Sequence, residues 1–219
     1  MTPSLDPATS GVPLARAKAV AVLLHGRGAP AESMLALAEE LAQPDLAYVA
    51  PQARGGSWYP YSFLAPIAQN EPHLSRSLAT VGNILAGLSA QGFGADRVVL
   101  LGFSQGGCLA LEYAARNARR YGGVIGLSAG LIGPEGTPRN YQGSLDGTPV
   151  FLGCSDIDGH IPLSRVQESS RTLRWLGGAV VERIYPGFGH TINEDELRRV
   201  RGVLDGLIHS TSITAEGGS

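Results

Sequence analysis

Along this chain, continuous runs of branched apolar residues alternate with segments in which apolar residues return every three or four positions. "AVAVLLHG" (19–26) has no polar interruption before its histidine and ends in glycine, as expected for a strand buried on both faces. "ESMLALAEELAQ" (32–43) has helical spacing, and "LAYVAPQ" (46–52) is a short strand stopped by Pro51. The same rhythm predicts a helix over 75–92, a strand over 97–104, a helix over 105–120 and a strand over 123–129. It continues with a strand over 148–155, a helix over 162–177, a strand over 179–187 and a helix over 193–208 with acidic residues in its first turn.

Strands that alternate with helices predict a single α/β domain: a mostly parallel central sheet, right-handed crossovers, and helices on both faces. The boundaries expected are an N-terminal extension over 1–18, the domain over 19–209 and a flexible C-terminal tail over 210–219. Ligands of such sheets bind at the carboxyl ends of the strands, here just after residues 26, 52, 103, 155 and 187. Two stretches break the rhythm. Residues 53–74 are loop-like and aromatic, and 130–147 are rich in Gly and Pro; loops of that length in a compact domain are commonly functional or disordered.

Composition narrows the partners. The 219 residues are 43% hydrophobic and 16% charged, with a net charge of −2 and no basic cluster. That balance speaks against nucleic acid or an anionic membrane as partner. The first residues have no apolar core of the kind a signal peptide carries, and no apolar run is long enough to span a bilayer. Cys108 and Cys154 read as two reduced, buried thiols of a cytoplasmic protein, without histidines at the spacing of a zinc site.

The chemistry concentrates at "GFSQG" (102–106), a G-x-S-x-G pattern between a strand and a helix. This is the setting of the nucleophile elbow of α/β hydrolases, in which a serine occupies a sharp strand-to-helix turn. Side chains two residues before and after Ser104 would collide there, so Gly102 and Gly106 remove them. A serine hydroxyl needs a base, and in this architecture the partners follow in the order Ser, Asp/Glu, His. His160, His190 and His209 follow Ser104; His190 lies in "YPGFGHTINEDEL", between the last strand and the last helix, and is the candidate base. His160 reads as a secondary loop residue and His209 as a solvated one.

The acid should follow the strand "VFLGCS", where Asp156 and Asp158 both stand. The pattern "DGHIP" favours Asp158, leaving Asp156 to hold the loop by local hydrogen bonds, but both are candidates at this point. Two backbone N–H groups should stabilise an oxyanion: that of Gln105, after the nucleophile, and that of Arg27 in "LLHGRG" (23–28). His25 precedes the serine and reads as a loop brace. Trp58 and Tyr59, with Tyr61 and Phe63, are candidates for an apolar substrate wall, or for plain packing over the sheet edge.

Four motifs, "LLHGRG", "GFSQGG", "DGHIP" and "GFGH", together resemble the phospholipase/carboxylesterase family of α/β hydrolases, which also contains acyl-protein thioesterases. "PQARGGSWYPY" (51–61) is similar to a segment of that family as well. The resemblance implies hydrolysis of an ester or thioester through a Ser-Asp-His triad, with no cofactor and no metal. The expected partner is a small-molecule ester with a small or medium acyl group; homodimerisation is left open. Acyl-protein thioesterase or lysophospholipase activity is an alternative, as is a non-catalytic hydrolase fold that binds a ligand. The chain departs from the family's usual pattern in a longer segment before the acid, in the charged Arg27, and in the longer aromatic loop that follows Trp58.

Overall fold

The computed structural model describes residues 7–216, with side chains described through Ser210. Its elements follow the apolar rhythm. They are β1 (Ala8–Gly11), β2 (Ala19–Leu24), α1 (Glu32–Leu41), β3 (Leu46–Ala50), α2 (Ile67–Asn70) and α3 (His73–Ala90). They continue with β4 (Val98–Phe103), α4 (Gln105–Arg116), β5 (Gly123–Leu127), β6 (Pro149–Ser155), α5 (Leu163–Trp175), β7 (Ala179–Tyr185) and α6 (Glu194–Glu216).

The seven strands form one sheet in the order β1-β3-β2-β4-β5-β6-β7, parallel throughout except for β1, which runs antiparallel to β3. Every residue of β2 is fully buried, because helices cover both faces of the sheet. Alternation along β2 divides the core in two. Val20, Val22 and Leu24 pack with α3, α4 and α5, whereas Ala19, Ala21 and Leu23 pack with α1 and α6.

Two segments near the chain ends differ from the sequence expectation. Residues 8–11, expected in an extension, form the edge strand β1, pairing Thr9 with Val49 and Ser10 with Tyr48. "ATSG" is too short and too polar to show a strand pattern, and pairing with the edge of β3 makes it one. Residues 210–216, expected in a flexible tail, continue α6, while 217–219 lie outside the described residues. Ser and Thr are weak helix formers, which ended the pattern at Ile208; propagation from a packed helix adds a hydrogen bond per residue at little cost.

The long loop 130–147 is tied down by buried charge. The Glu112 carboxylate on α4 accepts from the Ile132 N–H and the Tyr141 hydroxyl, both at 3.0 Å, and pairs with Arg116 at 2.7 Å. Arg139 from the loop and Arg165 from α5 share Glu168, at 2.8 and 2.9 Å. Leu131, Ile132 and Leu145 of this loop are fully buried, so it completes the core beside α4 and α5.

Candidate active site

The strongest local constraint sits between β4 and α4. Ser104 has φ 54° and ψ −121°, a conformation that L residues rarely adopt, and it occupies the N-cap of α4. The turn is held from both sides: Ser104 N–H donates to the Leu127 carbonyl and the Ser104 carbonyl accepts from Cys108 N–H, each at 2.9 Å. A Cβ on Gly102 would run into the backbone of Gly106, and one on Gly106 would run into the Leu24 and His25 carbonyls at the end of β2. Glycine at both positions is thus what lets β2, β4 and α4 converge on one serine.

His190 reaches this serine from the loop between β7 and α6. Its Nε2 lies 2.9 Å from Ser104 Oγ, and its Nδ1 lies 2.7 Å from Asp158 Oδ2. In the tautomer whose Nδ1–H donates to the Asp158 carboxylate, Nε2 carries a lone pair that can accept a hydrogen bond from the Ser104 hydroxyl. The Asp158 side chain is fully buried, which pushes its pKa up. The hydrogen bonds from His190 and from the His160 and Ile161 N–H groups outweigh that burial, and the carboxyl titrates below its usual range. Asp156 is placed elsewhere: its Oδ1 accepts from Gly187 N–H at 2.8 Å and steadies the loop that carries His190.

Ser155 was not singled out by sequence, yet its hydroxyl accepts from the Phe188 and Gly189 N–H groups at 3.1 and 3.0 Å, directly before His190. A serine at a strand end carries no pattern, so only the meeting of β6 with this loop reveals it. His160 sits closer to the chemistry than a remote loop residue would. Its ring is edge-on to His190, with centroids 4.7 Å apart, and it lines the cavity over Ser104. His25 is fully buried, with Nδ1 bonded to the Gly26 carbonyl at 2.7 Å and Nε2 accepting from Ala53 N–H at 3.0 Å. Burial lowers its pKa, and the ring braces two loops as a neutral imidazole. His209 is exposed, bonded to the Asp205 carbonyl in its own helix.

The two candidate oxyanion donors lie in the loop after β2 and at the start of α4. Gly26 packs against the elbow, so that a Cβ there would lie 3.6 Å from the Ser104 Cβ. Among the described residues, no loop or cap hydrogen bond uses the Arg27 or Gln105 N–H. Gln105 is the first residue of α4, where helix N–H groups have no partner within the helix and the positive end of the dipole is felt. The Arg27 guanidinium donates to Ser57 Oγ, the Pro60 carbonyl and the Tyr61 carbonyl at 3.0, 2.8 and 2.6 Å, so its charge is turned onto the 57–61 loop.

The two aromatic candidates separate. Tyr59 lines the cavity over Ser104 together with Tyr61 and Phe63. Trp58 does not reach it, which corrects the expectation of a substrate wall there. Its buried indole donates to the His25 carbonyl at 2.8 Å and lies against the His25 ring, bracing the loop from behind. Consecutive residues in an extended loop point to opposite sides, and only the tertiary contacts decide which side holds the cavity.

That cavity measures about 930 Å³ and is walled by Met34, Leu37, Tyr59, Phe63, Ile161 and Ile192, with Ser104 and His190 at its floor. An apolar cleft of this size with a few convergent polar groups is the usual form of a small-molecule site. Both cysteines are free and buried. Burial pushes each thiol up to about 12, and Cys154 Sγ lies 3.7 Å from Asp158 Oδ2, behind the carboxylate.

A doubly wound sheet with a serine at a strained strand-to-helix turn, hydrogen-bonded to a histidine, is the arrangement of the α/β-hydrolase class. The Phospholipase/Carboxylesterase family model matches residues 12–208, and the chain belongs to that family. It is 48% identical to a phospholipase/carboxylesterase of Dyadobacter fermentans, whose crystal structure superposes with a TM-score of 0.88 over 92% of this chain and 97% of that one. The esterase PE8 is 27% identical, with a TM-score of 0.78 over 93% of this chain and 99% of that one. Acyl-protein thioesterase 1 of Gibberella zeae is 34% identical over 116 residues, 50% of this chain; the match spans about half, 47%, of that curated relative.

Proposed function

We propose that the protein is a carboxylesterase that hydrolyses small or medium acyl esters through Ser104, His190 and Asp158 by way of an acyl-enzyme. The observation that carries this reading is the position of one imidazole, 2.9 Å from Ser104 Oγ and 2.7 Å from Asp158 Oδ2. His190 Nε2 takes the Ser104 proton as Oγ attacks the ester carbonyl carbon. The carbonyl oxygen becomes an oxyanion and receives the Arg27 and Gln105 N–H groups. As the tetrahedral intermediate collapses, the alcohol leaves with the proton held on His190. Water then attacks the acyl carbon, gives its proton to His190, and the acid is released as the proton returns to Ser104. Asp158 stays ionised throughout, holding the Nδ1–H tautomer and stabilising the imidazolium.

The apolar walls of Met34, Leu37 and Phe63 suit an acyl chain. Among the described residues no helix is long and apolar enough to cross a membrane. The reading has a small-molecule partner, and the two free, buried thiols of Cys108 and Cys154 support a cytoplasmic location. Acyl-protein thioesterase activity is the second reading, favoured by the likeness to the Gibberella zeae protein. Labelling by a fluorophosphonate probe, lost in Ser104→Ala together with p-nitrophenyl butyrate hydrolysis, tests the nucleophile. A folded wild type that is neither labelled nor active would instead support a ligand-binding role. Matched oxygen esters and thioesters then separate the two enzymatic readings.

A further inference from the structure

Arg27 and Gln105 hold the same short segment with their side chains, although they belong to different elements. Gln105 Oε1 accepts from Trp58 N–H at 2.9 Å, and its Nε2 donates to the Tyr59 carbonyl at 2.7 Å. Arg27 grips the segment through Ser57, Pro60 and Tyr61. Among the described residues no hydrogen bond joins Arg27 to Gln105 directly. One atom touches both: Ser57 Oγ accepts from Arg27 Nη1 at 3.0 Å and from Gln105 Nε2 at 3.3 Å, while donating to the Tyr59 carbonyl at 2.8 Å. One donor and two acceptor positions are all a hydroxyl has, so Ser57 is fully used as a junction.

We propose that the Ser57 hydroxyl is a positioning residue for the oxyanion, fixing the separation of the Arg27 and Gln105 N–H groups by joining their side chains. This rests on reading Ser104 as nucleophile and those two amides as oxyanion donors. Ser57 itself does not line the cavity over Ser104, so it acts through its neighbours and not on the substrate. A second link supports the role: Gly28 N–H, next to Arg27, donates to the Gly56 carbonyl, next to Ser57, at 2.7 Å. Removing the hydroxyl leaves each anchor another bond, from Arg27 to the Pro60 carbonyl and from Gln105 to the Tyr59 carbonyl. The loop therefore stays attached while the single atom shared by the two anchors is lost. Two donors aimed at one developing charge tolerate little relative movement, since their effect depends on distances near 3 Å set before the reaction.

The test compares wild type, Ser57→Ala and Ser57→Thr in p-nitrophenyl butyrate hydrolysis. It adds inhibition by a trifluoromethyl ketone, whose adduct carries an oxyanion, and by butyrate, which needs none. In Ser57→Ala, kcat should fall by roughly 10- to 100-fold, with KM and butyrate inhibition within about twofold of wild type. The ketone should weaken by the same factor as kcat, and Ser57→Thr should restore both. Unchanged kcat and ketone affinity in Ser57→Ala would overturn the proposal, as would an equal loss of butyrate binding, which would mark the loop as a pocket wall only. A wild type insensitive to the ketone, or an active Ser104→Ala, would sink the nucleophile assignment itself, a result distinct from either. Should Ser57→Ala fail to fold, Ser57→Cys, of similar size and weaker hydrogen bonding, carries the same comparison.

Discussion

The backbone of Gly106 lies so close to the Cα of Gly102 that a methyl group on Gly102 would occupy the space of the Gly106 carbonyl. The contact is between two segments of main chain, the end of β4 and the first turn of α4, and neither can yield without moving a core element. Gly102→Ala is therefore expected to lower stability by about 1–3 kcal/mol and to abolish measurable ester hydrolysis by shifting Ser104 away from His190. Gly202→Ala, on α6 where a Cβ meets open space, is the control expected to leave both intact. Thermal unfolding and hydrolysis rates, measured side by side, check the pair.

Asp158 and Asp156 stand two residues apart and face different partners. In the proposed mechanism Asp158→Asn commits its one oxygen to the His160 and Ile161 N–H groups and turns an NH2 toward His190 Nδ1, which favours the wrong tautomer, and kcat should drop by roughly 10³- to 10⁴-fold. Asp156→Asn touches only Gly187 N–H and keeps an oxygen able to accept from it, so a loss of less than about tenfold is expected. Equal effects of the two substitutions on kcat would refute the assignment of the acid. The lowered pKa of Asp158 also has a sign in stability. A carboxyl that titrates lower in the folded chain than in the unfolded one stabilises the fold above its unfolded value near 4, and this is lost as pH falls through the folded value. Asp158→Asn should therefore flatten the acid limb of unfolding below about pH 4.

Glu196 behaves in the opposite direction. Its carboxyl is buried in the first turn of α6, with Oε2 accepting from Asn193 N–H at 2.9 Å and Oε1 without a hydrogen-bond partner against Gly153. Burial raises its pKa from 4.5 to about 7. The folded chain thus binds a proton that the unfolded chain has released, and stability should decline as pH rises from about 4.5 to 7, by on the order of 3 kcal/mol. Glu196→Gln keeps an acceptor for Asn193 and cannot ionise. It should remove this decline and be relatively more stable at pH 8 than at pH 5 in denaturant titrations. A parallel pH dependence in both proteins would show that the carboxyl does not titrate in this range.

The apolar runs and the spacing between them determined the βα order, the parallel sheet and the location of the elbow, because a strand buried on both faces must be apolar throughout and a strained turn must be flanked by glycine. They also placed His190 and both aspartates in the right loops, since chain order limits which residues can reach the carboxyl edge of the sheet. The edge strand Ala8–Gly11 was not legible, because its pairing with β3 uses main-chain groups that any residue carries. Which aspartate faces the imidazole, which of Trp58 and Tyr59 turns to the cavity, and the junction made by Ser57 were decided only by tertiary structure. Each depends on where a side chain points within a loop, and that direction is set by partners 30 or more positions away, Asp158 to His190 and Ser57 to Arg27 and Gln105.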